Sequence, residues 1–360
     1  MTTFKPGQKH SILREVKALA KCNNCASVMA DPQQEQALER LQQMFPSSTE
    51  EERIRFFKAR NHNLSSAEGK LQEYLDWRSQ HGLDSEENLL ARETSTDQQD
   101  WEYASRKAMA WQRQQLARIA SSSSSSRKVH RPKTARARRP GGGAPPPDRQ
   151  LPQIVMTYCT TTTTTDGTEP RQMETARDGT LLLHVIPAQV NKKIAASETY
   201  ALAMALYLDR KFDRRCLGLA TIVLDVRPGV GWPNPPAYNM LPFIRATSRL
   251  LHRYYPERLA KCILYPMPRA ALWIWEAAKP FLEKSIVDAI TLIGGSDALQ
   301  APPPNDELAQ YANPQLLHRM ERNRLAKFIY RRRPNRNNNY NNNNTNTPAG
   351  SNTNNDGYQN

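Results

Sequence analysis

Long apolar stretches are missing from this sequence of 360 residues, whose mean hydropathy is -0.73. No run of about 18 apolar residues is present, which argues against a membrane-spanning helix. The opening stretch "MTTFKPGQKHSILREVKALAK" also lacks the apolar region of a signal peptide. These absences predict a soluble, cytoplasmic protein.

Cysteines are few, and their spacing gives no disulfide framework. They are Cys22, Cys25, Cys159, Cys216 and Cys262. A single Cys-x-x-Cys at 22–25 has no second pair, so a zinc site is not expected. Those at 216 and 262 begin or lie within apolar runs and are predicted to be buried thiols in a reducing compartment.

Catalytic motifs are also missing. No serine, cysteine or histidine stands in a nucleophile elbow or a zincin pattern. The stretch "PGVGWP" (228–233) has one Gly-x-Gly but continues into prolines, so it is not a dinucleotide loop. We therefore expect no enzyme activity, no cofactor and no metal.

Acidic residues are outnumbered, and the formal net charge is +15. Most of the excess lies in two segments, 127–139 with seven basic residues and no acid, and 318–336 with eight basic residues and one Glu. The charge therefore belongs to a linker and a tail rather than to the core. Nucleic acid is not the expected partner, although a nucleic-acid-associated protein acting through these segments stays an alternative.

Low-complexity tracts divide the chain. Serine, basic and Gly/Pro-rich runs fill 121–150, threonines follow at 160–170, and asparagines fill the end from about 335. The predicted organisation is an N-terminal tail (1–32), a helical N-lobe (33–84), a linker with a candidate helix at 100–119 (85–120), a low-complexity insertion (121–176), an α/β domain (177–296) and a C-terminal helix with an Asn-rich disordered tail (297–360).

The α/β domain is predicted from strands that alternate with long helices. Strands are expected at 180–187, 217–226, 259–266 and 289–294, and helices at 195–212, 237–255 and 269–282. The second and third strands are apolar almost throughout, as in a sheet covered on both faces. The predicted fold class is α/β, with a mainly parallel sheet behind the small helical N-lobe.

Two stretches of this domain are candidate sites. In "YYPER" (254–258), Pro256 ends a helix, and Glu257 is either a solvated turn residue or a site residue. In the helix at 269–282, apolar residues surround the axis for two turns, and Trp273 and Trp275 point to different sides. That helix is either fully buried or faces an apolar ligand on one side and a membrane on the other.

Residues 237–282, together with "RIRFFKARNHNLSSAEGKLQEYLDWRSQHGLD" (53–84), resemble the CRAL-TRIO lipid-binding family, which includes fungal phosphatidylinositol/phosphatidylcholine transfer proteins. The resemblance rests on the Tyr-Pro-Glu-Arg step, the strand after it and the Lys-Pro-Phe-Leu helix end, in the family's order. It implies an apolar pocket that is floored by the sheet and closed by a gate helix, here residues 269–282.

The resemblance also implies site residues. Glu257 matches a headgroup-contacting glutamate, and Arg60 matches a basic residue near the lipid phosphate. The implied ligand-binding set is Glu257, Arg60, Trp273, Trp275, Ala278, Phe281 and Leu282. The family's headgroup lysine falls at Ala289 and a nearby threonine at Ile286, so the phosphoinositide site is incomplete.

The function that the resemblance implies is the binding or intermembrane transfer of a phospholipid or other hydrophobic molecule. We expect a monomer that meets anionic membranes transiently and peripherally. The basic linker either aids this docking or is a plain solvated linker or localisation signal. A lipid-sensing scaffold that does not transfer its ligand is the alternative, and the headgroup that is chosen stays open.

Overall fold

The computed structural model describes residues 32–124, 150–161, 171–227, 237–267, 272–281, 284–295 and 301–329. Within this part of the chain no helix is long and apolar enough to cross a membrane. The bounds of the N-terminal helices are α1 Pro32–Met44, α2 Glu50–Lys58, α3 Leu64–Gln80, α4 Glu86–Thr94 and α5 Asp97–Ser124.

Helices α2 and α3 each begin at a polar side chain that caps the first turn. Thr49 and Glu52 form a capping box at α2, in which Glu52 N donates to Thr49 Oγ1 (3.2 Å) and Thr49 N donates to Glu52 Oε2 (3.0 Å). Asn63 caps α3, its side chain accepting from Ser66 N at 2.9 Å. Just past α3, Gly82 has a φ of +55°, which glycine adopts without strain.

A five-stranded sheet follows, with strand order β1-β4-β5-β6-β7. Its strands are β1 Val155–Met156, β4 Leu181–Val185, β5 Ala220–Asp225, β6 Leu259–Met267 and β7 Ile290–Gly294. The last four are parallel, and β1 pairs antiparallel with β4 at the edge. A separate antiparallel pair is formed by β2 Cys159–Thr161 and β3 Arg171–Met173.

Helices α6 Ser197–Lys211, α7 Ala237–Tyr254, α8 Leu272–Ala278 and α9 Lys284–Asp288 connect the parallel strands. The strands advance in one direction across the sheet, and right-handed crossovers then put every connection on the same face. The predicted mainly parallel α/β domain is thus confirmed, and its strands and helices lie where the sequence pattern puts them.

The other face of the sheet is covered by α10 Asn305–Leu308 and α11 Pro314–Ile329. The C-terminal helix predicted within 297–360 is present as α11, but the basic charge of 318–336 does not all belong to a tail, since Arg324 lies in this helix and is 1% exposed. Its guanidinium Nη2 donates to Glu321 Oε1 at 2.9 Å. Part of the basic charge therefore stabilises the fold.

The structure also differs from the expected low-complexity insertion at 121–176. Within residues 150–161, Leu151, Ile154 and Val155 are at most 3% exposed and belong to the main core. Trp101 Nε1 donates to Leu151 O at 3.0 Å, and Leu151 N donates to Ser105 Oγ at 2.9 Å. The chain therefore returns from the insertion by docking on α5. Residues 1–31 of the predicted N-terminal tail (1–32) and the Asn-rich tail predicted from about 335 lie outside the described residues.

Candidate functional site

The sheet face beneath α10 and α11 is packed solid. Leu182 and Ile263 are fully buried there, and Val223 and Ile293 are 1% and 7% exposed. A face packed to this degree has no room for a ligand beside it.

The opposite face, beneath the connecting helices, is packed unevenly. Leu183 and Val185 on β4 are each 1% exposed, because α6 covers them. Toward β6 and β7 the side chains on this face are only half-buried. We call these residues the apolar row: Ile222, Leu224, Cys262, Leu264, Ile290 and Leu292.

Strand register aligns the apolar row. Ile222 pairs with Cys262, which pairs with Ile290, so the three side chains lie side by side across the sheet. Leu224, Leu264 and Leu292 form the second rank in the same way. Burial raises the pKa of the Cys262 thiol to about 12, although the residue keeps accessible surface. The row is therefore surrounded by protein without being closed.

Helix α7 presents a second set of half-buried apolar side chains. They recur at helical spacing and include Met240, Leu241, Ile244, Leu250 and Leu251. Thr247 shares this stretch, and its buried Oγ1 makes no hydrogen bond in the described part of the chain.

Helix α8, within the predicted gate, contacts α7 and keeps apolar side chains in solvent. Trp273 is 59% exposed and Leu272 is 44% exposed, so the alternative of a fully buried helix is wrong. Trp275 is half-buried, with Lys279 Nζ 5.5 Å from its ring centroid. The two tryptophans thus have different environments, as their spacing predicts.

The remaining predicted gate residues lie at the end of this segment. Ala278 ends α8, and Phe281 ends the 3₁₀ turn Lys279–Phe281. Leu282 falls outside the described residues.

Glu257 occupies the turn between α7 and β6, with a φ of +57°. Its carboxylate is exposed, and its Oε2 lies 3.6 Å from Lys58 Nζ, at the end of α2. Just beyond α2, Arg60 Nη2 donates to His252 Nε2 at 3.3 Å, and the buried Arg60 Nε makes no hydrogen bond in the described part. The structure therefore places Glu257 and Arg60 at one junction, where α2 meets the end of α7.

This polar junction and the tryptophans lie at opposite ends of β6. Glu257 precedes the strand and α8 follows it, and a nine-residue strand is about 26 Å long. Ala289 lies at the same end as Glu257, since its carbonyl accepts from Cys262 N at 2.9 Å. The predicted site residues thus divide into a polar group and an apolar group, with the apolar row between them.

Asp225, at the carboxyl end of β5, has a structural role. Arg227 donates to it through Nε (3.0 Å) and Nη2 (2.6 Å), and Tyr265 donates through its hydroxyl (3.0 Å). Although burial alone would raise it, the pKa of Asp225 is held far below its usual range by His184 and Arg227. Arg227 also reaches Glu321 on α11 at 2.6 Å, so the cluster ties the helix to the sheet.

Part of this chain is similar to known proteins. The model of the CRAL/TRIO domain matches residues 177–319, which reaches past the expected boundary at 296 into α11. CRAL-TRIO domain-containing protein YKL091C of Saccharomyces cerevisiae is 30% identical over 111 residues, 30% of this chain and 34% of that protein. The chain thus matches about a third of that relative's length. The crystal structure of Sfh5 superposes with a TM-score of 0.43 at 11% identity, covering 74% of this chain and 82% of that one. Residues 177–319 of this chain thus match the CRAL/TRIO domain.

Proposed function

We propose that this chain binds one hydrophobic molecule, a phospholipid in the first instance, between the apolar row and helices α7 and α8, and exchanges it with membranes. The observation that carries the proposal is the contrast between the two faces of one sheet. Side chains beneath α11 are packed solid, whereas the apolar row is only half-buried.

The energetics favour an apolar occupant. Fully burying an aliphatic side chain is worth about 1.5–3 kcal/mol, and the apolar row obtains only part of that from the protein. An acyl chain over the row would supply the missing contacts.

Headgroup choice is then decided at the polar junction. The acyl chains are already buried in a bilayer, so their transfer is nearly neutral, whereas each hydrogen bond to a charged group is worth roughly 1.5–3 kcal/mol. Arg60 and Glu257 are the proposed headgroup contacts. Because Ala289 and Ile286 stand where the family has a lysine and a threonine, we expect weak preference for phosphatidylinositol.

Helix α8 is the proposed moving element. Its exposed Leu272 and Trp273 are of the type that enters a membrane interface. Insertion there would draw α8 away from α7 and open the hollow to the bilayer. This step explains why apolar side chains are kept in solvent.

Native mass spectrometry of the purified chain, followed by vesicle-to-vesicle transfer of a fluorescent phospholipid, tests the proposal. Leu264→Trp fills the hollow and is expected to abolish the bound mass and the transfer. Leu264→Met keeps the volume and is the matched control, expected to keep both. A wild-type chain that carries no hydrophobic ligand and transfers none would refute the proposal, and a bound lipid without transfer would favour a lipid-sensing scaffold.

A further inference from the structure

Helix α5 extends beyond the core that its first half helps to build. Trp101 and Ala108 are 1% and 0% exposed, and Trp111 packs against the same core. Residues 113–122 are exposed, except that Gln115 is half-buried. Most helical stability in proteins comes from packing, and this end of the helix receives little of it.

The apolar side of α5 continues along the exposed end. Ile119 follows Ala108 by eleven positions, which is about three helical turns, so both lie on the same side of the helix. Leu116 lies three positions before Ile119, and side chains at this spacing are neighbours. The two are 54% and 63% exposed, and we call them the α5 pair. The side of the helix that packs on the core therefore ends in an uncovered apolar surface.

Arginines flank the α5 pair on both sides. At about 100° per residue, Arg113 lies about 90° from the middle of the pair on one side, and Arg118 lies about 130° from it on the other. Ala110 and Gln114 occupy the side opposite the pair, and residues 103–124 contain no acid. Basic side chains beside an apolar strip are typical of a helix that lies in a membrane interface, because their aliphatic stems follow the apolar residues while their charges reach the headgroups.

Charge argues against two other ways of covering the α5 pair. A second copy of the chain would bring its own Arg113 and Arg118 to the contact, and like charges repel. The chain's own segment 125–149 has Val129 as its single large apolar residue, and its stretch 127–139 carries seven basic residues and no acid. An anionic lipid surface, in contrast, supplies both negative charge and an apolar layer.

We propose that the α5 pair, with Arg113 and Arg118, docks the protein on an anionic phospholipid surface. Leu116 and Ile119 enter the boundary between the headgroups and the acyl chains, and the two guanidiniums contact lipid phosphates. The docking needs no lipid over the apolar row, so it does not rest on the proposed binding and exchange. A chain without a bound lipid should dock equally well.

Co-sedimentation of the full chain with vesicles tests the docking. The vesicles consist of phosphatidylcholine alone or of phosphatidylcholine with phosphatidylserine, the mixed vesicles. The double variant Leu116→Ser/Ile119→Ser keeps every basic residue and should weaken binding to the mixed vesicles roughly 10- to 30-fold. Arg113→Gln/Arg118→Gln should weaken it by about the same factor and leave binding to phosphatidylcholine alone unchanged.

The matched control is Leu89→Ser/Leu90→Ser, because these leucines lie on α4 and are 44% and 62% exposed. This control should bind the mixed vesicles like the wild type. If Leu116→Ser/Ile119→Ser also bound like the wild type, the basic linker alone would account for the docking and the proposal would be overturned. Absence of wild-type binding to the mixed vesicles would overturn it as well, and would favour an acidic protein surface as the occupant.

Hydrogen exchange of the wild-type chain is a second measurement, which needs no variant. The backbone amides of residues 113–122 should exchange more slowly when mixed vesicles are added, because the bound membrane opposes local unfolding of this helix end. Unchanged exchange there in vesicle-bound protein would mean that another surface docks, and would overturn the proposal. A chain that docks in this way but carries and transfers no lipid would refute the proposed function and leave the docking supported.

Discussion

Replacing Glu52 by glutamine tests the charged contacts that hold the N-lobe on the α/β domain. The carboxylate is fully buried and accepts from Arg214 Nε at 2.7 Å, Arg214 Nη2 at 2.8 Å, Tyr74 Oη at 2.7 Å and Thr49 N at 3.0 Å. Glutamine keeps the shape but removes the charge, and its amide NH₂ must face one of these donors. Breaking a buried ion pair by changing one partner costs about 3–5 kcal/mol of unfolding free energy.

The pH dependence of this loss has a definite sign. Burial alone would raise the pKa of Glu52, but hydrogen bonds and charge from Arg214 lower it below its ordinary value of 4.5. A carboxylate whose pKa is lowered in the folded state stabilises the protein above its unfolded pKa. That stabilisation is lost as the pH falls through the folded value. The difference in unfolding free energy between the wild type and Glu52→Gln should therefore be largest at pH 7 and become smaller only below about pH 4.5.

Urea unfolding followed by circular dichroism measures this difference in unfolding free energy, with Glu50→Gln as the matched control. Glu50 lies in the same first turn of α2 but is exposed, so its loss should cost no more than about 0.5 kcal/mol. The reasoning would be refuted if the unfolding free energies of Glu52→Gln and the wild type differed by less than about 0.5 kcal/mol at pH 7, which is the range of ordinary surface substitutions.

Three further substitutions probe other contacts. Trp77→Ala removes a ring that is 5% exposed and stacked on Tyr254 at 4.4 Å, and it should lower the unfolding free energy by about 3–5 kcal/mol in urea titrations. Asp225→Asn should cost a similar ~3–5 kcal/mol by the same assay, because it removes the buried carboxylate that accepts two hydrogen bonds from the Arg227 guanidinium. Glu257→Ala should change stability by no more than about 1 kcal/mol, since the pair with Lys58 is exposed, while changing which headgroup is retained in lipid extraction followed by mass spectrometry.

Each of these expectations has an outcome that contradicts it. Equal losses for Trp77→Phe and Trp77→Ala would mean that the stacked ring contributes nothing. An Asp225→Asn chain as stable as the wild type would show that the ties to α11 do not need the charge. If Glu257→Ala retained the same lipids in the same proportions, Glu257 would be a turn residue only.

Sequence patterns predicted the parallel strands well, because each strand is a short apolar run between turn signals and each helix repeats at its own period. They failed at β1, where "IVM" (154–156) stands between low-complexity tracts and is too short to show a period. They predicted a C-terminal helix within 297–360, but they assigned the charge of its arginines to a tail. Arg324 is buried because Asp225 and Glu321 neutralise its charge, and such pairing depends on tertiary contacts.

The candidate site could be predicted only in part. Local sequence explains why Pro256 ends α7, and the family resemblance brought Glu257 and Arg60 to attention before their common junction was visible. The apolar row could not be found in this way. Leu264 reads like any core residue of a parallel strand, and its half-buried state depends on which helix lies above it.

The docking of Leu151 on α5 has a consequence for protein engineering. Ser105 on helix α5 accepts the hydrogen bond from Leu151 N. From Ser105 the helix continues for 19 residues to its end at Ser124, a distance of about 29 Å. Residues 125–149 must cover this distance, and about ten extended residues would be enough. Because the closure entropy of a loop depends only weakly on its length, this segment is a natural place to shorten the chain or to insert a reporter.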